Sequence, residues 1–233
     1  MRAFPTFFFM SKVDSTPTLS SSIAAMLRER ITRGEFEPGS KLRLEELRNL
    51  FGVSLSPLRE ALSRLCAEGF VAMEDQKGYR VVPVSQHNLD EVIQLRVQFE
   101  SYALSEAIKR GDDVWEGEVL AALHRLNKIE RGQVDSSGVS EWEQAHNIFH
   151  RQLISACGMP LLLHFCATLH DLNDRYRRIF LSDNPIDRDV RQEHVDICTA
   201  TLDRRADEAC ALLRAHIERT GVNVLKALAQ STT

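Results

Sequence analysis

Residues 34–71 read GEFEPGSKLRLEELRNLFGVSLSPLREALSRLCAEGFV. The stretch opens on a Glu37-Pro38-Gly39-Ser40 turn and then carries Leu44, Leu47, Leu50 and Phe51 at the spacing of one helix face. Gly52 suits the left-handed position that ends such a helix. After Val53-Ser54-Leu55, Ser56 offers an N-cap and Pro57 a first helical residue. Leu58, Ala61, Leu62 and Leu65 then form the apolar stripe of a further helix, closed by Gly69. Upstream, Ser20 to Ser22 cap a helix carrying Ile23, Met26, Leu27 and Ile31, which Gly34 ends. Downstream the period changes to that of strands. Phe70 to Met73, the Asp75-Gln76-Lys77-Gly78 turn and Tyr79 to Val82 read as a β-hairpin.

Three short helices and a hairpin make a winged helix-turn-helix, whose last helix enters the major groove N-terminus first. Ser54, Ser56 and Arg59 are then nearest DNA. Hydroxyls and a helix N-terminus suit phosphate, and an arginine fork suits guanine or phosphate. Lys77, Gly78 and Arg80 on the hairpin are placed to meet the backbone or minor groove. A small helical domain in which Arg59 only pairs with an acid fits the same pattern. The run from the Pro-Gly turn through Gly-Val-Ser-x-Ser-Pro-Leu-Arg-Glu-Ala-Leu to Glu-Gly-Phe-Val closely resembles the signature of the GntR family of transcription regulators. Many relatives carry Arg where Leu55 stands, so that contact is missing here, with Arg43 or Arg48 as substitutes.

From Asn88 onward helical patterns run over about 88–110, 113–131, 139–157, 160–181, 187–204 and 206–228, with Gly- or Pro-containing breaks. The expected fold is mainly α: a winged helix over 18–85, then an all-α bundle of about six helices over 86–230. Residues 1–17 read as a disordered tail. Its Phe-rich start is short and interrupted by Pro5, unlike a signal peptide, and a true start at Met10 is an alternative.

Hydrophobic content of 43% with 27% charge fits a soluble globular chain, and no apolar run nears the ~20 residues of a membrane span. The five cysteines are scattered without a Cys-x-x-Cys pair, which suits reduced thiols in the cytoplasm. Net charge is −4, yet residues 18–82 carry ten basic against nine acidic side chains, and residues 83–233 seventeen against twenty-three. A nucleoid-type structural binder is expected to be basic, so this balance argues against one. DNA recognition by a local basic face remains compatible with it.

His146 and His150, spaced i and i+4, lie on one helix face, an arrangement that suits a transition metal as well as chance. "LRVQFESYALSEAIKRGDD", "FHRQLISACGMPLLLHF" and "EHVDICTATLDRRADEACALLRAHI" resemble the sensory domain of the FadR-like branch of the GntR family. Metal-binding members of that branch use an Asp or similar ligand four residues before the His of a Phe-His pair, a His after Glu, and a His in a C-terminal Ala-His-Leu/Ile. The resemblance implies a four-histidine set of His146, His150, His194 and His216, with His146 at the usual Asp position. It implies one divalent transition metal per chain, zinc first, nickel or manganese next. Neutral ligands leave the ion's charge uncompensated, which favours an anionic ligand. Arg96 occupies a place where relatives point an Arg into the effector pocket, with Arg175, Tyr176 and Arg178 as further candidates. His87, His124, His164 and His170 read as ordinary.

"DQKGYRV", "EWEQAHNIFH" and "RYRRIF" resemble a subgroup typified by a carbon-starvation-induced repressor, whose members respond to a short dicarboxylate such as glutarate. The expectation is a dimeric DNA-binding regulator, acting as a repressor on a palindromic operator. The rival is a helical-bundle metalloenzyme. Only Glu143-Gln-Ala-His146 has the spacing of a di-metal carboxylate site, and no His-Glu-x-x-His occurs.

Overall fold

The computed structural model describes residues 17–129, 141–181 and 189–231. The expected tail falls outside them except for Pro17, as do residues 130–140 and 182–188, where one end of each of the helices expected over 113–131, 139–157 and 187–204 lies. The first unit comprises α1 (Leu19–Thr32), a two-residue strand β1 (Lys41–Leu42), α2 (Leu44–Phe51), α3 (Leu55–Ala67), and the hairpin β2 (Val71–Glu74) and β3 (Gly78–Val81). The three strands form an antiparallel sheet in the order β1-β3-β2, with Val71 opposite Val81 and Lys41 opposite Arg80. This is the winged helix expected.

Two caps differ from expectation. Thr18, not Ser20 to Ser22, caps α1 by accepting from the Ser21 amide. Helix α3 begins at Leu55 behind Ser54, which places Pro57 third in the helix. A proline is tolerated there because the first four helical amides have no intrahelical acceptor to lose. Gly52 does adopt the left-handed conformation, at φ 63°. Strand β1 carries no sequence signal, since two residues cannot show alternation.

Among the described residues, six α-helices follow: α4 (Gln86–Arg110), α5 (Asp113–Lys128), α6 (Glu141–Ile154), α7 (Pro160–Leu181), α8 (Val190–Leu202) and α9 (Ala206–Ser231), with a 3-10 turn at Ser155–Cys157. Their shared core is built from Ala103, Leu104, Trp115, Phe149, Leu153, Ile197, Leu213 and Ile217 among others, all buried. The long helices α4 and α9 pack most extensively, with Gly221 of α9 facing Ile93 of α4. No described helix is long and apolar enough to cross a membrane.

The winged helix has its own core, centred on Ile23, Leu27, Leu58, Leu62, Leu65, Phe70 and Val81. That core is not closed by the first unit alone. Leu172 of α7 packs against it, beside Gly69. On the same side of α7, Ile179 meets Gly34, Arg175 donates to the Val82 carbonyl, and Arg178 pairs with Glu29 of α1 at 3.4 Å.

Candidate functional site

The start of α3 is exposed, and Ser54, Ser56 and Arg59 all stand on it in solvent. Arg59 makes no ion pair among the described residues, which leaves its guanidinium available for a base or phosphate. Arg43, at the N-cap of α2, and Arg48 within it are each paired with a neighbouring exposed acid, Glu46 or Glu45. Lys77 and Gly78 occupy the exposed hairpin turn. Arg80 is placed differently from expectation. It bonds Glu74 at 3.2 Å and also the Gly39 carbonyl, so it braces the wing sheet.

The second site is buried. Helix α6 turns Trp142, Ala145, His146, Phe149, His150 and Leu153 inward, at the three- and four-residue spacing of a single face. His194 arrives from α8 and His216 from α9, and all four histidines are at most 4% exposed. Their ligand atoms lie within 4.8 Å of one another. The Nε2 atoms of His146 and His150 are 3.1 Å apart. Two nitrogens bound at about 2.1 Å to one ion would sit about 3.0–3.4 Å apart, so this pair is already at ligand spacing. His216 Nδ1 meets a Glu193 oxygen at 2.8 Å. A carboxylate accepts, so the ring proton is on Nδ1, and Nε2 is the ring's ligand atom. Such outer carboxylates commonly orient metal-binding histidines.

Burial, helped by the Arg177 charge and the neighbouring rings, holds His146 well below the ordinary imidazole range. Burial does the same to His150, with His216 the next largest influence. These rings are therefore neutral at pH 7, and neither carries a charge that would repel a cation. The donor set fits a divalent transition metal.

A fifth histidine joins them. His170 of α7, expected to be ordinary, is 3% exposed, and burial pushes its pKa down to about 3 against the pull of Asp174. Its ring centroid lies 5.6 Å from that of His150. His87, His124 and His164 are exposed, as expected of ordinary surface residues. His146, His170 and Asp174 also bring ligand atoms together, but Arg96 and Arg177 donate directly into that group, and two buried guanidiniums repel a second cation.

Arg96 is buried as the resemblance implied, but its donors are committed. Nε and Nη2 bond both oxygens of Glu100, at 2.6 and 3.2 Å, and Nη2 also reaches His170 Nδ1 at 3.2 Å. Beside this pair is a pocket of about 230 Å³, lined by Glu100, His150, Ile154, Leu163, Cys166 and His170. Burial pushes the Cys166 thiol up to about 12, so the pocket meets it as a neutral, soft surface.

The other three effector candidates lie elsewhere. Arg175 bonds the Val82 carbonyl, and the Tyr176 hydroxyl donates to Asn88 Oδ1 at 2.8 Å and accepts from the Ser85 amide at 3.2 Å. A helix turns about 100° per residue, which places 172, 175 and 179 opposite 170, 174 and 177. Arg175 and Tyr176 therefore belong to the junction between the units, and so does Arg178.

A sequence model of the FCD domain matches residues 91–219, and one described as bacterial regulatory proteins, gntR family, matches residues 19–81. The chain is 37% identical over 195 residues to the HTH-type transcriptional repressor GlaR of Escherichia coli (strain K12), covering 82% of this chain and 89% of that protein. It is 36% identical over 194 residues to the HTH-type transcriptional regulator BphR of Paraburkholderia xenovorans (strain LB400), covering 82% and 79%. In fold it is similar to the solved structure of E. coli McbR/YncC, with a TM-score of 0.77 at 18% identity over 91% of this chain and 99% of that one. These families and relatives are transcription regulators and not enzymes. The chain belongs to the GntR family of DNA-binding transcription regulators, in the FadR-like branch that carries a C-terminal FCD domain.

Proposed function

We propose that this regulator is a metal-containing repressor released from its operator by a small organic acid. The observation that carries this reading is the convergence of His146, His150, His194 and His216, from three helices, on one buried point next to a pocket. One divalent transition ion per chain, zinc before nickel or manganese, would be held by those four side chains. When bound, such an ion supplies a positive charge and open positions for a carboxylate. His170, Ile154, Leu163 and Cys166 shape the remainder of the pocket.

The ligand class that fits is a carboxylate, with a C4–C6 dicarboxylate as the leading member. Its far carboxylate would reach Arg96 only by competing with Glu100 for the guanidinium, and that competition is where Arg96 sets selectivity. The repressor works as a homodimer on a palindromic operator in the cytoplasm, where its free thiols stay reduced. In this reading the winged helix-turn-helix DNA-binding domain covers residues 18–85 and the helical effector- and metal-binding domain 86–230.

A hundredfold loss of operator affinity requires about 2.7 kcal/mol of coupling between the two sites. Elemental analysis should find about one transition ion per chain in the purified protein, absent from His150→Ala and His194→Ala. Anisotropy of labelled operator should then fall on adding a C4–C6 dicarboxylate to the parent but not to Arg96→Lys. No metal after incubation with zinc or nickel sinks the metal site; unchanged operator binding across the dicarboxylates sinks the ligand class.

A further inference from the structure

Arg177 of α7 is 4% exposed, and both its terminal nitrogens are engaged. Its Nη2 bonds both oxygens of Glu143, at 2.8 and 3.0 Å. Its Nη1 bonds Asp174 Oδ1 at 2.9 Å and His146 Nδ1 at 3.0 Å. A guanidinium only donates. His146 Nδ1 must therefore present its lone pair to Arg177, and the neutral ring carries its single proton on Nε2. That N–H points at His150 Nε2, 3.1 Å away, which accepts it and so keeps its own proton on Nδ1. His150 Nδ1 is itself buried with no hydrogen-bond partner.

We propose that Arg177 and a metal ion compete for His146. The inference rests on the metal reading above. His146 can offer Nε2 to an ion only after its proton has moved to Nδ1, and an Nδ1–H confronts the Arg177 donor. The ring keeps one proton throughout; only its place changes. His146 therefore serves as Arg177's acceptor or as a fourth ligand, never as both, while His150, His194 and His216 form the standing set. Arg177 is a positioning residue that tunes affinity, and it works through His146. A carboxylate at that position could meet a guanidinium and an ion through different oxygens; an imidazole cannot.

Long-range ¹H–¹⁵N correlation of the histidine rings tests this on the unaltered protein. We expect His146 to be protonated at Nε2 without metal and at Nδ1 with zinc saturating. Chelator competition provides the second arm. Arg177→Gln should bind zinc at least tenfold tighter than the parent, and that gain should vanish in an His146→Ala background. A gain that persists there is electrostatic only and overturns the proposal. So does Nδ1 protonation in the metal-free protein, or Nε2 protonation with zinc bound. If the parent takes up no zinc, the metal reading fails and this inference fails with it; uptake with an unchanged tautomer overturns this inference alone.

Discussion

The Arg175 guanidinium donates a hydrogen bond to the backbone carbonyl of Val82, joining the sensory helix α7 to the residue just past wing strand β3. Arg175 is 2% exposed, and burial lowers its pKa, so it depends on that acceptor. Arg175→Met should leave the carbonyl unpaired and cost about 1–3 kcal/mol, read as a lower urea midpoint at unchanged slope. Zinc uptake should be unaffected, because Arg175 lies on the opposite face of α7 from His170.

Arg59 and Arg80 should fail in different ways. Arg59→Ala should fold as the parent and lose about 1–3 kcal/mol of operator affinity, the range of a specific arginine contact. Arg80 ties Glu74 to the Gly39 turn, so Arg80→Ala should lower the stability of the wing as well as DNA affinity. Equal operator affinity for Arg59→Ala and the parent means that α3 is not the reading helix.

Acid should destabilise the metal-free protein early. The folded pKa of His170 is pushed from 6.5 to about 3, and His146 and His150 are lowered as well. The unfolded chain binds protons at these rings from about pH 6.5 downward, while the folded chain does not. Stability is thus complete above about pH 7 and is lost progressively as pH falls from 6.5 towards 3. A urea midpoint that stays flat from pH 7 to pH 4 contradicts neutral buried rings.

Two helix glycines should respond with opposite signs. A Cβ at Gly117 in α5 meets nothing within 4 Å, so Gly117→Ala should stabilise by about 0.5–1 kcal/mol through helix propensity. A Cβ at Gly221 falls 2.2 Å from Ile93 Cδ1 and 3.0 Å from its Cγ1, so Ile93 must shift and the propensity gain is offset or reversed. Thermal melts of the two variants should move apart.

The winged helix was legible because its signals are local. Gly34, Gly52 and Gly69 all take positive φ where the apolar spacing stops, and the strand period begins at once after Gly69. Of the histidines, the i, i+4 pair on α6 was visible in the chain, while His194 and His216 depended on family resemblance. His170 was missed because its significance arises from Arg96, seventy-four residues away. The available signal was its own i, i+4 partner, Asp174. Arg175 and Tyr176 were misplaced for a rotational reason. A run of charged and aromatic residues on a helix does not say which neighbour each face meets, and α7 has a neighbour on both sides.

Leu172 seals the core of the winged helix, yet it lies about ninety residues beyond that unit's last strand. Cutting the chain at residue 85 would therefore strip an apolar lid from a structure too small to lose one comfortably. An isolated 18–85 fragment should melt lower, and aggregate more readily, than the same residues within the full chain. Unfolding of the winged helix should therefore be coupled to α7, well beyond the point where the polypeptide passes from one unit to the next.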